Sequence, residues 1–312
     1  MKKIVVLGGG TGMSTLLRGL KLFPLDIKAV VSVSDDGKST GILRDEFHTI
    51  AVGDIRKVII ALSETEPLFE ELLNYRFETD GYLNGHAVGN LLLTALANIR
   101  GNLSDGIEVI EKILKLKGKV YPLTEDLVTL VAQMEDGTIV EGEHHITESH
   151  KTIKKVYYKE NPIVNQNVIS AIKEADLIIL SMGSLYTSII PNLLIKDVID
   201  AIDNSKADIM YVSNMMTQPG ETDNFKVSDH VNVLNQYLGK RKINVVVANT
   251  GIIPKNFLIK YETLEQKDQV KLDSNKLKNI KIISDNYVTI KDNVIRHKID
   301  KLSLDIYGYL IT

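Results

Sequence analysis

A four-residue apolar run, Ile4-Val5-Val6-Leu7, passes directly into Gly8-Gly9-Gly10-Thr11-Gly12 and then into the amphipathic stretch Met13 to Lys21. A second apolar run, Ala29 to Ser34, ends in Asp35-Asp36-Gly37-Lys38-Ser39-Thr40-Gly41. The order is strand, glycine turn, helix, strand, acidic loop. This is the opening of a nucleotide-binding α/β unit, in which glycines let a phosphate approach free backbone N–H groups at a helix start.

The rest of the chain keeps that rhythm. Strand-like runs at 4–7, 29–34, 177–182, 208–213 and 243–249 alternate with helical periodicity at 54–63, 88–100, 165–175, 188–203 and 227–239. Such alternation predicts an α/β fold, a parallel sheet with helices on both faces, over one domain spanning 1–312. Leu177-Ile178-Ile179-Leu180 is apolar throughout, as a strand buried on both sides must be. Residues 118–160 break the pattern. Two alternating runs, Leu127 to Ala132 and Thr138 to Gly142, flank Glu135-Asp136-Gly137, a hairpin signal. The segment reads as a small inserted antiparallel β subdomain. A second hairpin is expected from Ile282-Ile283 and Tyr287 to Ile290 around Asp285-Asn286, and the polar, lysine-rich Glu265 to Lys281 reads as a solvated connection.

Small polar residues end most of the expected parallel strands. Gly183-Ser184 follows one, Asn214 to Thr222 (with Thr217) another, and Asn249-Thr250-Gly251 a third. Ligands in open α/β sheets bind beyond the C-terminal strand ends, so loops converging on that edge point to one site. In the glycine turn, Gly9, Gly10 and Gly12 offer backbone, and Thr11 and Ser14 offer hydroxyl donors for phosphate. The dinucleotide fingerprint fails, because its third glycine falls on Met13 or Thr15. The Walker A pattern fails at Ser32. Asp35 and Asp36 suit ribose hydroxyls, a catalytic base or, on Asp36, a Mg²⁺ ion. Asp54 reads as a helix cap, and Arg56 in the same first turn as a cation facing an anion. His86 and Asn90 stand at the start of the helix that follows Gly85-His86-Ala87-Val88-Gly89. Tyr261 offers a face for a base and Arg296 a fork for a pyrophosphate. His144 and His145, adjacent on an expected strand, point to opposite faces and make a poor metal pair.

Bulk properties exclude several classes. Apolar residues are 44% and charged residues 25% of the 312, an ordinary globular composition. No cysteine is present, which removes disulfides, thiol catalysis and thiolate metal sites. A net charge of −3 argues against nucleic acid or an anionic membrane as partner. No apolar run is long enough for a membrane span, and the run after Lys2-Lys3 is too short for a signal peptide, so a cytoplasmic location is expected.

Taken in order, Gly8 to Gly12, Asp35-Asp36-Gly37, Gly53-Asp54-Ile55-Arg56, Gly85 to Leu91, Gly183 to Ser188 and Met216 to Thr222 resemble the CofD-like family. Its founding activity is 2-phospho-L-lactate transfer in deazaflavin cofactor synthesis. The chain is most similar to the YvcK-type branch of gluconeogenesis factors. The resemblance implies a Rossmann-like core with an added subdomain. For this branch it implies UDP-N-acetylglucosamine binding, with Tyr261 and Arg296 at the positions used for the nucleotide sugar. It also implies a role in cell shape and envelope precursor supply during gluconeogenic growth. For the transferase branch it implies a deazaflavin, a guanine-nucleotide-linked lactate and Mg²⁺. Lys38 and Thr40 stand where the branch more often has Gly and Ser, Ala51-Val52 replace prolines, and Ala87 replaces Ser.

The expected function is a nucleotide-sugar-binding regulator that acts through a protein partner in amino-sugar synthesis, with a homo-oligomer left open. The alternative is a 2-phospho-L-lactate transferase acting on a deazaflavin. In that case Asp35 or Asp36 holds Mg²⁺ and takes a proton, while Gly10, Thr11 and Arg56 hold the phosphates.

Overall fold

The computed structural model describes residues 1–312, the side chain of Lys38 excepted. Strand β1 (Lys2–Gly8) leads through helix α1 (Gly10–Leu20) to β2 (Leu25–Val31). Helices α2 (Lys38–Phe47), α3 (Gly53–Leu62), α4 (Pro67–Asn74), α5 (Val88–Arg100) and α6 (Leu103–Leu114) precede β3 (Lys119–Pro122). The insertion is β4 (Leu130–Met134), β5 (Ile139–Glu141), α7 (Glu143–Ser149) and β6 (Ile153–Tyr158). The chain continues as α8 (Gln166–Glu174), β7 (Leu177–Leu180), α9 (Lys196–Asn204), β8 (Asp208–Val212), α10 (Val227–Tyr237) and β9 (Val245–Asn249). It closes with α11 (Lys255–Glu265), β10 (Lys281–Asp285), β11 (Val288–Lys291), β12 (Val294–His297) and α12 (Ile299–Ile311).

Seven strands form one parallel sheet in the order β10-β9-β8-β7-β1-β2-β3. The chain winds outward from β1 through β2 to β3, then crosses back and winds outward again from β7 to β10. Strand order therefore reverses between β1 and β7, the place in a doubly wound sheet where a crevice opens beyond the strand ends. Both central strands are covered on each face. Ile4, Val6, Leu7 and all of Leu177 to Leu180 are fully buried, and each such side chain contributes about 1.5–3 kcal/mol. Helix α1 turns Met13, Leu16, Leu17 and Leu20 inward, the spacing of one helical face, and packs on α3 and α12. Among the described residues no helix is long and apolar enough to cross a membrane.

Several sequence-based expectations need correction. The strand expected at 29–34 starts at Leu25 and leaves the sheet after Val31, although Val33 is buried; apolar character marks burial, not the end of a ladder. The helix expected over 188–203 is interrupted at Pro191, which has no N–H to donate, so a wide turn (Leu185–Ile189) and a tight one (Ile190–Leu193) precede α9. Within 118–160, Lys119–Pro122 pairs with β2 and belongs to the main sheet. The insertion proper is a three-stranded antiparallel sheet, order β5-β4-β6, plus α7. His144 and His145 therefore lie on a helix rather than a strand. Near the C-terminus, Lys281–Asp285 pairs in parallel with β9, and the hairpin is β11 with β12. It turns at Asp292 (φ 50°) and Asn293 (φ 58°), the two positive φ values of a type I′ turn. The polar stretch 265–281 is pinned rather than free, by Val270 N–H to Met215 O (2.9 Å) and Thr217 N–H to Asp268 O (2.8 Å).

Candidate functional site

At the β1/β7 reversal a cleft of about 760 Å³ opens. That volume lies within the range of pockets for ligands of nucleotide size. One wall is the glycine turn Gly9 to Gly12, and the other is the loop after β7, Met182 to Ser188. Asn214 to Gln218 extend it on the β8 side, and Tyr261, Lys267, Arg296 and His297 close the rim. The insertion contributes Glu143. Of the residues singled out in the sequence, Gly9, Gly10, Thr11, Gly12, Asp35, Gly183, Ser184, Asn214, Thr217, Tyr261 and Arg296 meet in this cleft.

The glycine turn leaves donors open. Helix α1 has no side-chain cap at Gly9 and no acid in its first turn, so its leading N–H groups face the cleft with the positive end of the helix dipole. Gly10 holds φ +65°, and Gly12 lies so close to the opposite loop that a Cβ there would sit 2.0 Å from Met182 O. Ser14 is different from the expectation: its hydroxyl donates to Thr11 O (3.0 Å), as does that of Thr15 (2.8 Å). Thr11 itself is exposed at the mouth of the turn.

Acids line the floor. A Cβ at Gly9 would stand 2.8 Å from Asp54 Oδ2, and Asp54 pairs with Lys57 (2.9 Å). Asp54 therefore does not cap α3, contrary to the sequence reading; its carboxylate lies under the glycine turn. Burial, and then the Asp54 charge, push Asp35 above the usual carboxylate range, while the Gly37 N–H (2.9 Å) opposes this. Glu143 accepts from the Ser34 hydroxyl (3.2 Å) and is pushed well up, first by burial and then by Asp35 and Asp54. A raised folded-state pKa means that the folded chain holds a proton the unfolded chain has released. That stabilisation is complete below the ordinary glutamate range and is lost as pH rises through the folded value. Glu143→Gln copies the protonated form. It is expected to gain stability over wild type progressively as pH rises above the ordinary glutamate range, measured by chemical denaturation at each pH.

Several lining residues use their polar groups to hold the loops. Asn214 accepts from Gly183 N–H (2.9 Å) and donates to Gly183 O (2.6 Å), joining the loops after β7 and β8. Ser184 donates to Glu221 (2.5 Å), and Thr217 Oγ1 accepts from Asp268 N–H (2.7 Å). Buried Tyr261 accepts at its hydroxyl from Ile295 N–H (3.1 Å), which fixes the strand that carries exposed Arg296. His297 Nε2 donates to Ser213 O (3.2 Å), and burial pushes the ring down to about 4, so it is neutral near pH 7.

Four other candidates lie outside the cleft with Ser14. Asp36 Oδ1 accepts from His144 N–H (2.8 Å) in the first turn of α7. It ties the insertion to the core. Asp36→Ala is expected to cost about 1 kcal/mol, the value of a lost helix cap, and to leave ligand binding in the cleft unchanged; denaturation and calorimetry check the two halves. His86 Nδ1 bonds Ser39 Oγ (3.1 Å) and, with buried Arg56 and Asn90, sits at the start of α5. Sequence reasoning missed Lys57, Glu143, Lys267 and His297 as lining residues. Lys57 had a signal, one helical turn after Asp54; Glu143 comes from the insertion and had none.

Residues 4–288 match the family described as 2-phospho-L-lactate transferase CofD. The Bacillus subtilis protein named gluconeogenesis factor is 44% identical over 304 residues, covering 96% of each chain. The gluconeogenesis factor of Halalkalibacterium halodurans is 42% identical over 306 residues, 97% of this chain and 94% of that one. The crystal structure of a Bacillus halodurans protein, 41% identical, superimposes with a TM-score of 0.95 over 100% of this chain and 99% of that chain.

Proposed function

Since the chain belongs to the CofD family, with relatives named gluconeogenesis factors, we propose that its cleft binds UDP-N-acetylglucosamine and that the protein is a cytoplasmic regulator of envelope precursor supply and cell shape. The observation that carries this reading is the meeting of the uncapped α1 N-terminus with Arg296 across one cleft. A diphosphate needs both: N–H groups and a helix dipole on one side, and a planar cationic donor on the other. Lys57 and Lys267 line the same walls, each paired with a carboxylate, Asp54 (2.9 Å) and Glu265 (2.8 Å). Regulation follows if the liganded rim, β11–β12 and the 267–270 segment, is what a protein partner in amino-sugar synthesis reads.

A rival reading, phospho-lactyl transfer to a deazaflavin, draws on the acids Asp35, Asp54 and Glu143 in the same cleft. A thermal-denaturation panel with UDP-N-acetylglucosamine, GDP, NAD and a deazaflavin, each with and without Mg²⁺, separates the two. A ligand at 100 times its Kd stabilises by about 2.7 kcal/mol. Stabilisation by UDP-N-acetylglucosamine without Mg²⁺ supports the regulator. Stabilisation by GDP and the deazaflavin alone would replace it with the transferase.

A further inference from the structure

Outside the cleft lining, two residues on from Asp54 in α3, begins a group of polar atoms that the proposed nucleotide-sugar site does not use. Arg56 is 5% exposed, and its Nε and Nη1 are buried without a hydrogen-bond partner among the described residues. Two atoms on the inner face of α5, Asn90 Oδ1 and Thr94 Oγ1, are likewise buried and unpartnered. Four of the nine such atoms among the described residues are therefore on Arg56 and this one helix face. Buried polar groups are nearly always satisfied, so the two Arg56 donors call for an acceptor; the Thr94 hydroxyl can donate to the same group, whereas Asn90 Oδ1, itself an acceptor, cannot.

The geometry says which kind. Helix α5 has no side-chain cap and no acid in its first turn. Arg56 lies across that end: a Cβ at Gly89 would be 2.8 Å from Arg56 Cδ and 2.9 Å from Cγ, so only glycine lets the side chain pass there. A cation against the positive end of a helix is unfavourable, and a second guanidinium, Arg76, is near enough to oppose its charge. Arg76 is exposed and donates to Gly85 O (2.6 Å), so the group reaches the surface on that side. Burial and Arg76 push Arg56 down to about 10, which still leaves it charged at neutral pH. The one nearby carboxylate, Asp54, is already paired with Lys57. Two guanidiniums and a helix N-terminus with no counter-charge of their own match a dianion.

We propose that the α5 N-terminus, with Arg56 and Arg76, is a second anion site, separate from the glycine turn, that takes a phosphate dianion, free or as a small phosphate monoester. The anion accepts from Arg56 and from the Gly89 N–H, since the Val88 N–H is given to Tyr75 O (3.0 Å) and the Asn90 N–H to Ala87 O (3.0 Å).

Titration with inorganic phosphate and, in a second arm, glycerol 3-phosphate tests this in the full chain, with sodium chloride at matched ionic strength as reference. Wild type is expected to bind saturably, and Arg56→Met to bind at least 10-fold more weakly. Tighter binding of the ester assigns the site to a monoester, and equal binding assigns it to free phosphate. Because the glycine turn also attracts phosphate, crystals of the wild type in phosphate locate the ion independently of any variant. Density within hydrogen-bonding distance of Arg56 is the expected result. Density only at Gly9 to Gly12, or only ordered water beside Arg56, overturns the proposal. Should Arg56→Met fail to fold, Arg56→Lys with the crystallographic readout decides. Failure here leaves the nucleotide-sugar reading intact, since that reading rests on Arg296 and α1.

Discussion

Replacing Arg296 with alanine is expected to weaken UDP-N-acetylglucosamine binding about 10- to 100-fold while the fold is kept. The side chain is exposed on β12 at the rim of the cleft and forms no ion pair or side-chain hydrogen bond among the described residues. Truncation therefore removes little that stabilises the chain. What it removes is a charge-assisted contact to the diphosphate, worth about 1.5–3 kcal/mol, and each 1.4 kcal/mol is about tenfold in affinity. Calorimetry gives the affinity, and the denaturation midpoint confirms folding. Unchanged affinity would take Arg296 out of the site. Tyr261 acts on the same strand from behind, because its hydroxyl holds Ile295 N–H beside Arg296.

Gly12→Ala carries the larger structural effect. The new Cβ would meet Met182 O at 2.0 Å, Met182 C at 2.6 Å and Gly183 Cα at 3.1 Å. All three are backbone atoms, so no side chain can swing aside; the loops after β1 and β7 must part. Overpacking in a close-packed interior costs about 1–3 kcal/mol and sometimes more. With only backbone to yield, the upper end, about 3 kcal/mol, is expected, together with loss of ligand binding. Urea denaturation and calorimetry measure both. A variant with wild-type stability and affinity would show that the two loops do not need to meet at this distance.

The sheet was legible because its central strands are buried on both faces: Leu177 to Leu180 could be nothing else in an alternating pattern. The glycine turn and the loops 183–184 and 214–217 were legible for a related reason, since small polar residues after buried strands collect at one edge. What failed was long-range. Asp54 looked like a cap because a carboxylate in a first helical turn normally is one, and only tertiary structure turns it under Gly9. Asp36, singled out with its neighbour Asp35, lies beside rather than in the cleft lining, because adjacent residues diverge, and it accepts from His144 N–H on the insertion. The hairpin at 282–290 was misread because Lys281–Asp285 finds a parallel neighbour, β9, that local pattern cannot reveal. Ser14 had the right position but gives its hydroxyl to Thr11 O.

The central claim is that the cleft at the β1/β7 reversal holds the diphosphate of UDP-N-acetylglucosamine between α1 and Arg296. A crystal structure of the chain grown with that ligand tests it most directly. The expected result is density for the diphosphate beside the N–H groups of Gly10 to Gly12, with Arg296 on its other side. Density at the opposite edge of the sheet, or an empty cleft at saturating ligand, would contradict the account.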